Sequence, residues 1–496
     1  MNPRCLVLLL VVLVLSLAAC DSGGSANDPD PPAESPLTFR TISFALSDGQ
    51  RVSAEQGKLT VPENRALPNG KTIQLGLVRF KSTASNPGPP IIYLTGGPGG
   101  SGVEEAHYLY VELFRDLLAV ADVIALDQRG TGSASPNLDC NRFVELPPEV
   151  LGSREALIQA FDEPSRACAR FWEGQGVDLQ AYNTNENADD VEALRRALAV
   201  ETISLLGISY GTHLALTFAR RHPERLHRMV LAGVEGPNHT LKLPGTLQQQ
   251  LEQIDQLAQA DPAVDAVIPD FLGLLEDLLA QLEAQPVTVQ VADPQTGQQV
   301  EVVVTKFMLQ FLVSQNMGFA RDVSTVPALL YPLSQGDYAD VAQAILAFRG
   351  IPHPSAMTFM MDCSSGASDE RLARIDREAE ETLLGDVLNL PFPAVCEAWG
   401  DPDLGPAFRA PANVEAPTLL VSGTLDGRTP VSNGEEILQG LPNGIHLILE
   451  NGGHDTIDDW FTIPAYKDAV VTFFSGNPLS ITHITLPFSF VIPETN

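Results

Sequence analysis

The chain has 496 residues, 44% of them hydrophobic, which is enough for a large core or for two or three domains. Its 62 acidic residues outnumber its 30 basic residues and give a net charge of −32. Because phosphate binding needs a basic surface, this balance argues strongly against a nucleic-acid partner.

The N-terminus has the features of an export signal. Arg4 precedes an uncharged apolar run, residues 6–17, that is too short for a comfortable membrane span. The segment Leu17-Ala18-Ala19-Cys20 then resembles the bacterial lipobox, in which the cysteine is lipidated and becomes the first residue of the mature protein. An ordinary secretory signal, residues 1–19, with Cys20 incidental, is the alternative. Residues 20–36 predict a flexible tether, so we expect a domain in the bacterial cell envelope, held against a membrane by a lipid.

Cysteine usage agrees with export. Cys5 leaves with the signal and Cys20 would carry the lipid, which leaves an even number for an oxidising compartment. Of the three possible connectivities we expect the local one, Cys140–Cys168 and Cys363–Cys396. No spacing of cysteines or histidines resembles a metal site, so neither a metal ion nor a cofactor is expected.

Strand and helix signals alternate up to about residue 235. Such alternation implies a parallel sheet with helices on both faces, in which ligands bind outside the carboxyl ends of the strands. The predicted strands are 72–80, 90–94, 122–126, 202–206 and 228–232, and the predicted helices are 104–119, 187–199 and 212–221.

A glycine-rich loop, residues 95–102, follows the second of these strands. Three of its glycines match the Gly-x-Gly-x-x-Gly pattern of dinucleotide sites, and an acid, Asp127, ends the next strand. However, Pro98 removes an amide donor where a phosphate would need one. We therefore favour the alternative that Gly97 supplies an oxyanion-hole amide. The second loop, residues 127–132, is expected to brace the site rather than to react.

A sharp turn is predicted between the fourth strand and its helix. Gly207-Ile208-Ser209-Tyr210-Gly211 matches Gly-x-Ser-x-Gly, the nucleophile elbow, in which the serine Oγ stands clear of the backbone. The glycines permit the close approaches that such a turn requires. A chance match is the alternative, since a pattern of five residues recurs. Ser209 is thus a candidate nucleophile, and the amide of Tyr210 a second candidate donor to an oxyanion.

Two further residues follow late strands. Asp426 comes after a predicted strand at 416–422, and His454 comes after one at 445–449. The chain order Ser, Asp, His is the arrangement of one class of hydrolases. Taken alone, Asp426 could be a turn residue and His454 a loop residue. Their joint occurrence with the elbow and the glycine loop favours a catalytic triad.

The alternation stops between residues 238 and 412, which we interpret as a cap over the site, inserted after the sixth strand. The catalytic domain would then comprise residues 37–237 and 413–496, with an extended tail at 479–492. In the cap, helices are predicted at 247–259, 271–282, 306–317, 327–333 and 369–384, and a hairpin at 287–291 and 301–305.

Together these motifs resemble the α/β-hydrolase peptidases of the prolyl iminopeptidase and tripeptidyl aminopeptidase group. Thr95 stands where prolyl iminopeptidases often have histidine, so the closer similarity is to the tripeptidyl branch. The resemblance implies an α/β-hydrolase fold and an exported serine exopeptidase that releases residues from peptides with a free N-terminus. It rests on Gly96-Gly97-Pro98-Gly99-Gly100-Ser101, Asp127-Gln128-Arg129-Gly130-Thr131-Gly132, the elbow, Gly423-Thr424-Leu425-Asp426-Gly427-Arg428-Thr429-Pro430 and Gly453-His454.

Three questions stay open at this point. Glu235, just past a strand end, could bind the substrate amino group, although a hinge-side acid is the interpretation that we favour. The same triad would also serve an esterase or lipase. A non-catalytic envelope protein that reuses the fold for binding is the third possibility.

Overall fold

A ten-stranded sheet organises the chain in the computed structural model, which describes residues 36–67, 69–144, 146–147, 149–294, 296–349, 354–454 and 462–493. The predicted signal, tether and lipidated Cys20 lie outside the described residues. The strands of this sheet are β1 (Leu37–Ala45), β2 (Arg51–Pro62), β3 (Thr72–Phe80), β4 (Ile91–Leu94), β5 (Val123–Leu126), β6 (Ile203–Ile208), β7 (Leu226–Ala232), β10 (Thr418–Gly423), β11 (Gly444–Glu450) and β12 (His483–Thr485). A separate hairpin consists of β8 (Val287–Ala292) and β9 (Gln299–Val304).

The sheet is mostly parallel, as predicted. Its order is β1-β2-β3-β5-β4-β6-β7-β10-β11-β12, and the seven strands from β5 to β12 run parallel. Strands β4, β5, β6 and β10 are buried along their whole length, which explains their nearly continuous runs of Ile, Val and Leu. The order reverses at β4, which lies between β5 and β6. The loops that leave β4 and β6 are therefore neighbours, and a crevice is expected there.

Helices cover the sheet and fill the segment between β7 and β10. A π-helical turn, Tyr110–Phe114, joins α1 to α2. None of the helices in the described ranges is both long enough and apolar enough to cross a bilayer. The α-helices are α1 (Gly102–Leu109), α2 (Arg115–Leu117), α3 (Arg154–Gly174), α4 (Thr184–Ala197), α5 (Tyr210–Arg221), α6 (Pro244–Ala260), α7 (Pro262–Asp265), α8 (Phe271–Ala284), α9 (Lys306–Asn316), α10 (Ala320–Val323), α11 (Val326–Ser334), α12 (Ala339–Phe348), α13 (Ala356–Ser365), α14 (Asp369–Glu381), α15 (Pro406–Arg409), α16 (Val431–Leu438) and α17 (Pro464–Phe474).

We call residues 233–417, between β7 and β10, the inserted block. It is largely helical and contains the predicted hairpin and all five predicted helices with shifted ends, together with α12 and α13, which were not predicted. It follows the seventh strand in chain order rather than the sixth, because residues 37–62 contribute two antiparallel strands to the sheet edge. One apolar core joins Leu94 and Leu205 of the sheet to Leu247 and Phe271 of the block. The predicted boundaries at 237 and 412 stay a prediction.

The inserted block packs against a helix from an earlier part of the chain. Helix α3 carries Cys168, which the structure joins to Cys140, and Arg154, which pairs with Asp386 of the block. A second disulfide, Cys363–Cys396, lies inside the block. Both disulfides have the connectivity that we expected from the sequence. The cover over the sheet is thus built from two segments of the chain.

The loop after β5 is held by a buried ion pair. Arg129 is 0% exposed, and its guanidinium donates two hydrogen bonds of 2.8 Å to the carboxylate of Asp190 on α4. It also donates to the carbonyls of Glu63 and Ala181. A buried guanidinium needs an anion and acceptors for its other N–H groups, and here a carboxylate and backbone carbonyls supply them. This loop therefore has a bracing role.

We expect the replacement Asp190→Ala to be strongly destabilising, since it removes the bidentate anion of the buried Arg129 guanidinium and leaves only the longer contact of 3.4 Å to Glu186. Breaking such a pair costs about 3–5 kcal/mol. The matched control is Asp116→Ala, because Asp116 is 41% exposed and pairs with Lys467 at the surface; it should cost less than about 1 kcal/mol. Urea denaturation measures the free energy of unfolding of both variants. Equally small losses would contradict this role for Arg129.

Candidate active site

The turn between β6 and α5 consists of a single residue, Ser209. Its backbone lies at φ 52° and ψ −123°, a strained conformation for a residue with a side chain. The flanking glycines are required by close backbone contacts. A Cβ on Gly211 would lie 2.0 Å from the carbonyl oxygen of Leu94, and a Cβ on Gly207 would lie 2.6 Å from that of Gly211. This is the geometry of a nucleophile elbow.

Three side chains that are distant in sequence meet at the carboxyl edge of the sheet. The Nε2 atom of His454 lies 3.0 Å from the Oγ of Ser209. The other ring nitrogen, Nδ1, lies 2.8 Å from the Oδ2 of Asp426. Asp426 leaves β10, and His454 leaves the neighbouring strand β11. The structure therefore brings together the three residues in which the sequence predicts a catalytic triad.

The carboxylate of Asp426 is buried but fully hydrogen-bonded. It accepts from the amides of Arg428 and Thr429 at 2.8 Å each and from the hydroxyl of Thr429 at 2.6 Å. Burial alone would raise the pKa of this carboxyl, but His454 and the donors from Thr429 outweigh it and hold the pKa below its usual range. Asp426 is thus an anion at neutral pH, in position to orient the imidazole.

The inserted block contacts both of the loops that carry these residues. The carbonyl of Met317 accepts from the amide of Gly427 at 3.0 Å, and the carbonyl of Gly318 accepts from the amide of His454 at 2.6 Å. We call residues 317–318, between α9 and α10, the junction. The Gln250 side chain of α6 reinforces it by donating to the carbonyl of Met317 at 2.9 Å and to that of Leu425 at 2.5 Å. The block therefore supports the acid and the histidine directly.

The glycine loop after β4 lies beside the nucleophile. Leu94 pairs with Gly207 across the sheet, and a Cβ on Gly96 would lie 2.9 Å from that of Ser209. In the described part of the chain, no group accepts a hydrogen bond from the amide of Gly97 or of Tyr210. Neither amide is thus occupied by an internal acceptor there, and their role as oxyanion donors stays a prediction.

Two contacts hold the glycine loop in place. Gln128 donates to the carbonyl of Thr95 at 3.0 Å, and the hydroxyl of Thr358 on α13 donates to that of Pro98 at 2.9 Å. The carboxylate of Asp127 accepts from the hydroxyl groups of Ser101 and Ser133 at 2.7 Å each. That carboxylate is engaged in holding loops together, which argues against the dinucleotide interpretation.

A cavity of about 180 Å³ borders Ser209, and most of the residues that line it belong to the inserted block. Apolar side chains such as Leu388 and Phe392 form part of its wall. Four charged residues also line it: Glu235, Lys242, Asp362 and Arg428. In the ranges that the structure describes, no cluster of three or more His, Cys, Asp or Glu residues has the arrangement of a metal site.

Glu235 lies in the cavity wall, but its charge is already paired. Lys242 donates to its Oε2 at 2.7 Å, and His213 Nδ1 lies 4.0 Å from its Oε1. Burial alone would raise the pKa of Glu235, but the charges of Lys242 and His213 outweigh it and hold the pKa below its usual range. The position just past β7 fits both the substrate-binding and the hinge interpretations. The ion pair with Lys242 favours the structural one.

Asp362 of α13 is the carboxylate that sequence reasoning missed. It borders the cavity, and no donor or cation among the described residues lies within bonding distance of it. Burial and the negative charge of Glu235 raise the pKa of Asp362 well above its usual range. One signal was available, since Asp362 is the only charged residue in the apolar run 355–365.

Comparison with known proteins agrees with this geometry. The sequence profile of the alpha/beta hydrolase fold family matches residues 89–459. Serine protease Hip1 of Mycobacterium tuberculosis is 32% identical over 46% of this chain and 46% of its own length. Tripeptidyl aminopeptidase of Streptomyces coelicolor is 30% identical over 37% of this chain and 35% of its own length.

A solved meta-cleavage product hydrolase from Pseudomonas fluorescens IP01 covers 82% of this chain and 95% of its own, at 15% identity and a TM-score of 0.37. The chain spans less than half the length of the curated relatives that it matches. The family profile, in contrast, spans most of the chain and includes the elbow, the acid and the histidine. The chain therefore belongs to the α/β-hydrolase fold family.

Proposed function

We propose that the protein is a serine exopeptidase of the aminopeptidase type, which releases residues from peptide N-termini. The observation that carries the proposal is the hydrogen-bonded series Ser209, His454 and Asp426, with separations of 3.0 and 2.8 Å. Relatives named serine protease and tripeptidyl aminopeptidase support a peptide substrate. The small volume of the cavity beside Ser209, about 180 Å³, supports cleavage near a chain end.

In the proposed mechanism, His454 Nε2 takes the proton of Ser209 as Oγ attacks the scissile carbonyl. Asp426 orients the imidazole and stabilises the imidazolium. The amides of Gly97 and Tyr210 hold the oxyanion, each donor contributing about 3 kcal/mol to the transition state. His454 then returns the proton to the leaving amine, and water hydrolyses the acyl-enzyme by the same steps.

Selection for a free N-terminus is assigned to Asp362. Its carboxylate is the acidic group in the cavity wall that lacks a cation, whereas Glu235 has Lys242. An ammonium group bound there would remove the repulsion from Glu235 and restore the charge of Asp362. An N-blocked peptide has no ammonium group, so it would not supply a positive charge beside Asp362. This assignment replaces the candidate role of Glu235 in binding the amino group.

A panel of three substrate types separates the proposal from its rivals: free-amino peptide amides, their N-blocked forms, and simple esters. We expect the free-amino peptides to be cleaved with the highest kcat/KM. Ester turnover without any cleavage of free-amino peptides would instead favour an esterase or lipase. Failure of Ser209 to react with a fluorophosphonate would favour a non-catalytic binding protein.

We expect Ser209→Ala to lower kcat on every cleaved substrate by at least about 10⁴-fold, because the triad acts as a unit. Covalent labelling by a fluorophosphonate should disappear in the same variant. The matched control is Ser334→Ala, since Ser334 is an exposed serine of α11; it should keep wild-type rates. Undiminished hydrolysis by the Ser209 variant would overturn the mechanism.

We expect Asp362→Asn to reduce the ratio of kcat/KM for free-amino over N-blocked peptides by about tenfold or more, since hydrogen bonds to charged groups contribute about 1.5–3 kcal/mol. The same substitution should increase the stability of the fold. Because the pKa of Asp362 is raised in the folded state, its ionisation destabilises the fold as pH rises.

The Asp362→Asn variant should therefore have a higher Tm than the wild type at pH 8. That gain should shrink as pH falls toward the usual range of an aspartate pKa. Asp369→Asn, an exposed position on α14, serves as control. An unchanged substrate ratio would remove Asp362 from amine recognition.

We also propose that the protein is exported and anchored through Cys20, on the basis of Leu17-Ala18-Ala19-Cys20 alone. Cys20→Ser should move the protein from the membrane fraction to the soluble fraction, because one retained lipid-modified cysteine is the proposed attachment point. Fractionation of the expressing cells, with Cys5→Ser as control, measures this. Membrane retention of the Cys20 variant would contradict lipid anchoring at this residue.

A further inference from the structure

One of the residues that line the cavity beside Ser209 is Arg428, whose guanidinium pairs with no carboxylate in the part of the chain that the structure describes. Arg428 follows Asp426 by two residues, and its backbone amide belongs to the cradle of that carboxylate. Within the described ranges, no acidic oxygen lies within 4.0 Å of the guanidinium, and its one side-chain hydrogen bond is to Gln315 Oε1 at 3.3 Å. The group thus retains most of its five donors.

Arg428 is partly buried. Burial lowers the pKa of Arg428, and the acids that counter this, Asp426 and Asp322, make no ion pair with it. A guanidinium stays protonated even so. A partly buried charge without a counter-ion is costly, and the charged groups nearest to full burial, Arg129 with Asp190 and Lys242 with Glu235, are paired. Other partly buried guanidinium groups without an ion pair among the described residues, such as Arg220 and Arg371, donate to backbone carbonyls. We therefore ask what could offset the cost of leaving Arg428 without an ion pair.

The packing of the Arg428 side chain does not explain why an arginine stands at this position. The stem of Arg428 fits against the junction, where a Cβ on Gly318 would lie 2.8 Å from its Nε atom. An apolar side chain of similar volume would fill the same space without the cost of an enclosed charge. The planar fork of a guanidinium instead matches a carboxylate, with which it forms two parallel hydrogen bonds.

We propose that Arg428 binds a carboxylate of the peptide substrate close to the scissile bond. The proposal rests on the peptidase function proposed above. Ser209 and Arg428 line the same cavity of about 180 Å³, so the anion must lie within one or two residues of the carbonyl that is attacked. Two groups of a peptide meet that condition: the C-terminal carboxylate of a short peptide and an acidic side chain next to the scissile bond.

Arg428 and Asp362 together make the cavity complementary to a substrate that carries both charges. Among the described residues, the cavity lining includes one ion pair, Glu235 with Lys242, and two charged residues without an ion-pair partner, Asp362 and Arg428. A short peptide with free termini supplies an ammonium and a carboxylate at once. Such a substrate neutralises both groups, whereas a long polypeptide without a nearby acid neutralises one at most.

The test compares matched peptides on the purified full chain. One arm sets a short free-amino peptide with a C-terminal carboxylate against its C-terminal amide. The other arm sets Glu against Gln beside the scissile bond, both as C-terminal amides. We expect the wild type to favour the carboxylate member of one arm by at least about tenfold in KM. The arm that responds identifies which carboxylate is bound.

Two substitutions then assign the preference to this residue. Arg428→Gln should bring the carboxylate preference close to one, and Arg428→Lys should keep part of it, because lysine retains the charge but loses the fork. Arg377→Gln, on the exposed face of α14, should keep the wild-type ratio. Ratios within one variant are insensitive to a general loss of activity.

A second readout does not require peptide cleavage. Short peptides that enter the cavity slow the labelling of Ser209 by a fluorophosphonate, so protection by the acid and amide forms measures binding alone. Equal protection by both members of both pairs in the wild type would overturn the role of Arg428. A preference that persists in Arg428→Gln would overturn it too. Labelling and protection without peptide hydrolysis would instead refute the peptidase function and leave carboxylate binding intact.

Discussion

The constraint on which the site depends is the close crossing of α5 past the end of β4. Gly211 lies so near the carbonyl of Leu94 that even a methyl group would overlap it. That approach forces the one-residue turn at Ser209 and sets the nucleophile next to the glycine loop, which leaves the same end of β4. The reversal of strand order at β4 opens the crevice in which both loops meet. The reactive hydroxyl and its candidate oxyanion donors are thus placed by backbone contacts before any side chain is considered.

Buried charges in this chain fall into two groups with different surroundings. Paired groups, such as Arg129 with Asp190 away from the cavity and Glu235 with Lys242 in its wall, are hydrogen-bonded and stabilise loops. Asp426 belongs with them, because its donors keep it ionised for His454. Asp362 and Arg428, in the cavity wall, lack such partners. Uncompensated groups of this kind concentrate at functional sites, where a ligand supplies the missing charge.

The three residues of the predicted triad could be found in the sequence because each lies in a short turn pattern. The elbow, the loop of Asp426 and the loop of His454 are short patterns that follow predicted strands. Such patterns can be recognised without knowing how the chain packs. Helices α3 and α13 escaped prediction for physical reasons. Pro164 lies inside α3 and argues against a helix, and α13 is buried nearly all round, so it lacks an amphipathic period.

Charge pairing across the block could not be predicted either. Glu235 and Lys242 are close in sequence, but their ion pair depends on the path of the loop after β7. The unpaired state of Asp362 and Arg428 depends on what the rest of the block places around them. Such features arise from tertiary packing, which neither periodicity nor motif spacing encodes.

The junction at residues 317–318 has a consequence for protein engineering. Exchanging the inserted block for that of another family member would be the obvious route to a new substrate range. Here the exchange would also replace the carbonyls that receive the amides of Gly427 and His454. In a chimera, the loops that carry Asp426 and His454 would therefore bond to different backbone groups. Its turnover rate would reflect that change as well as the shape of the new pocket.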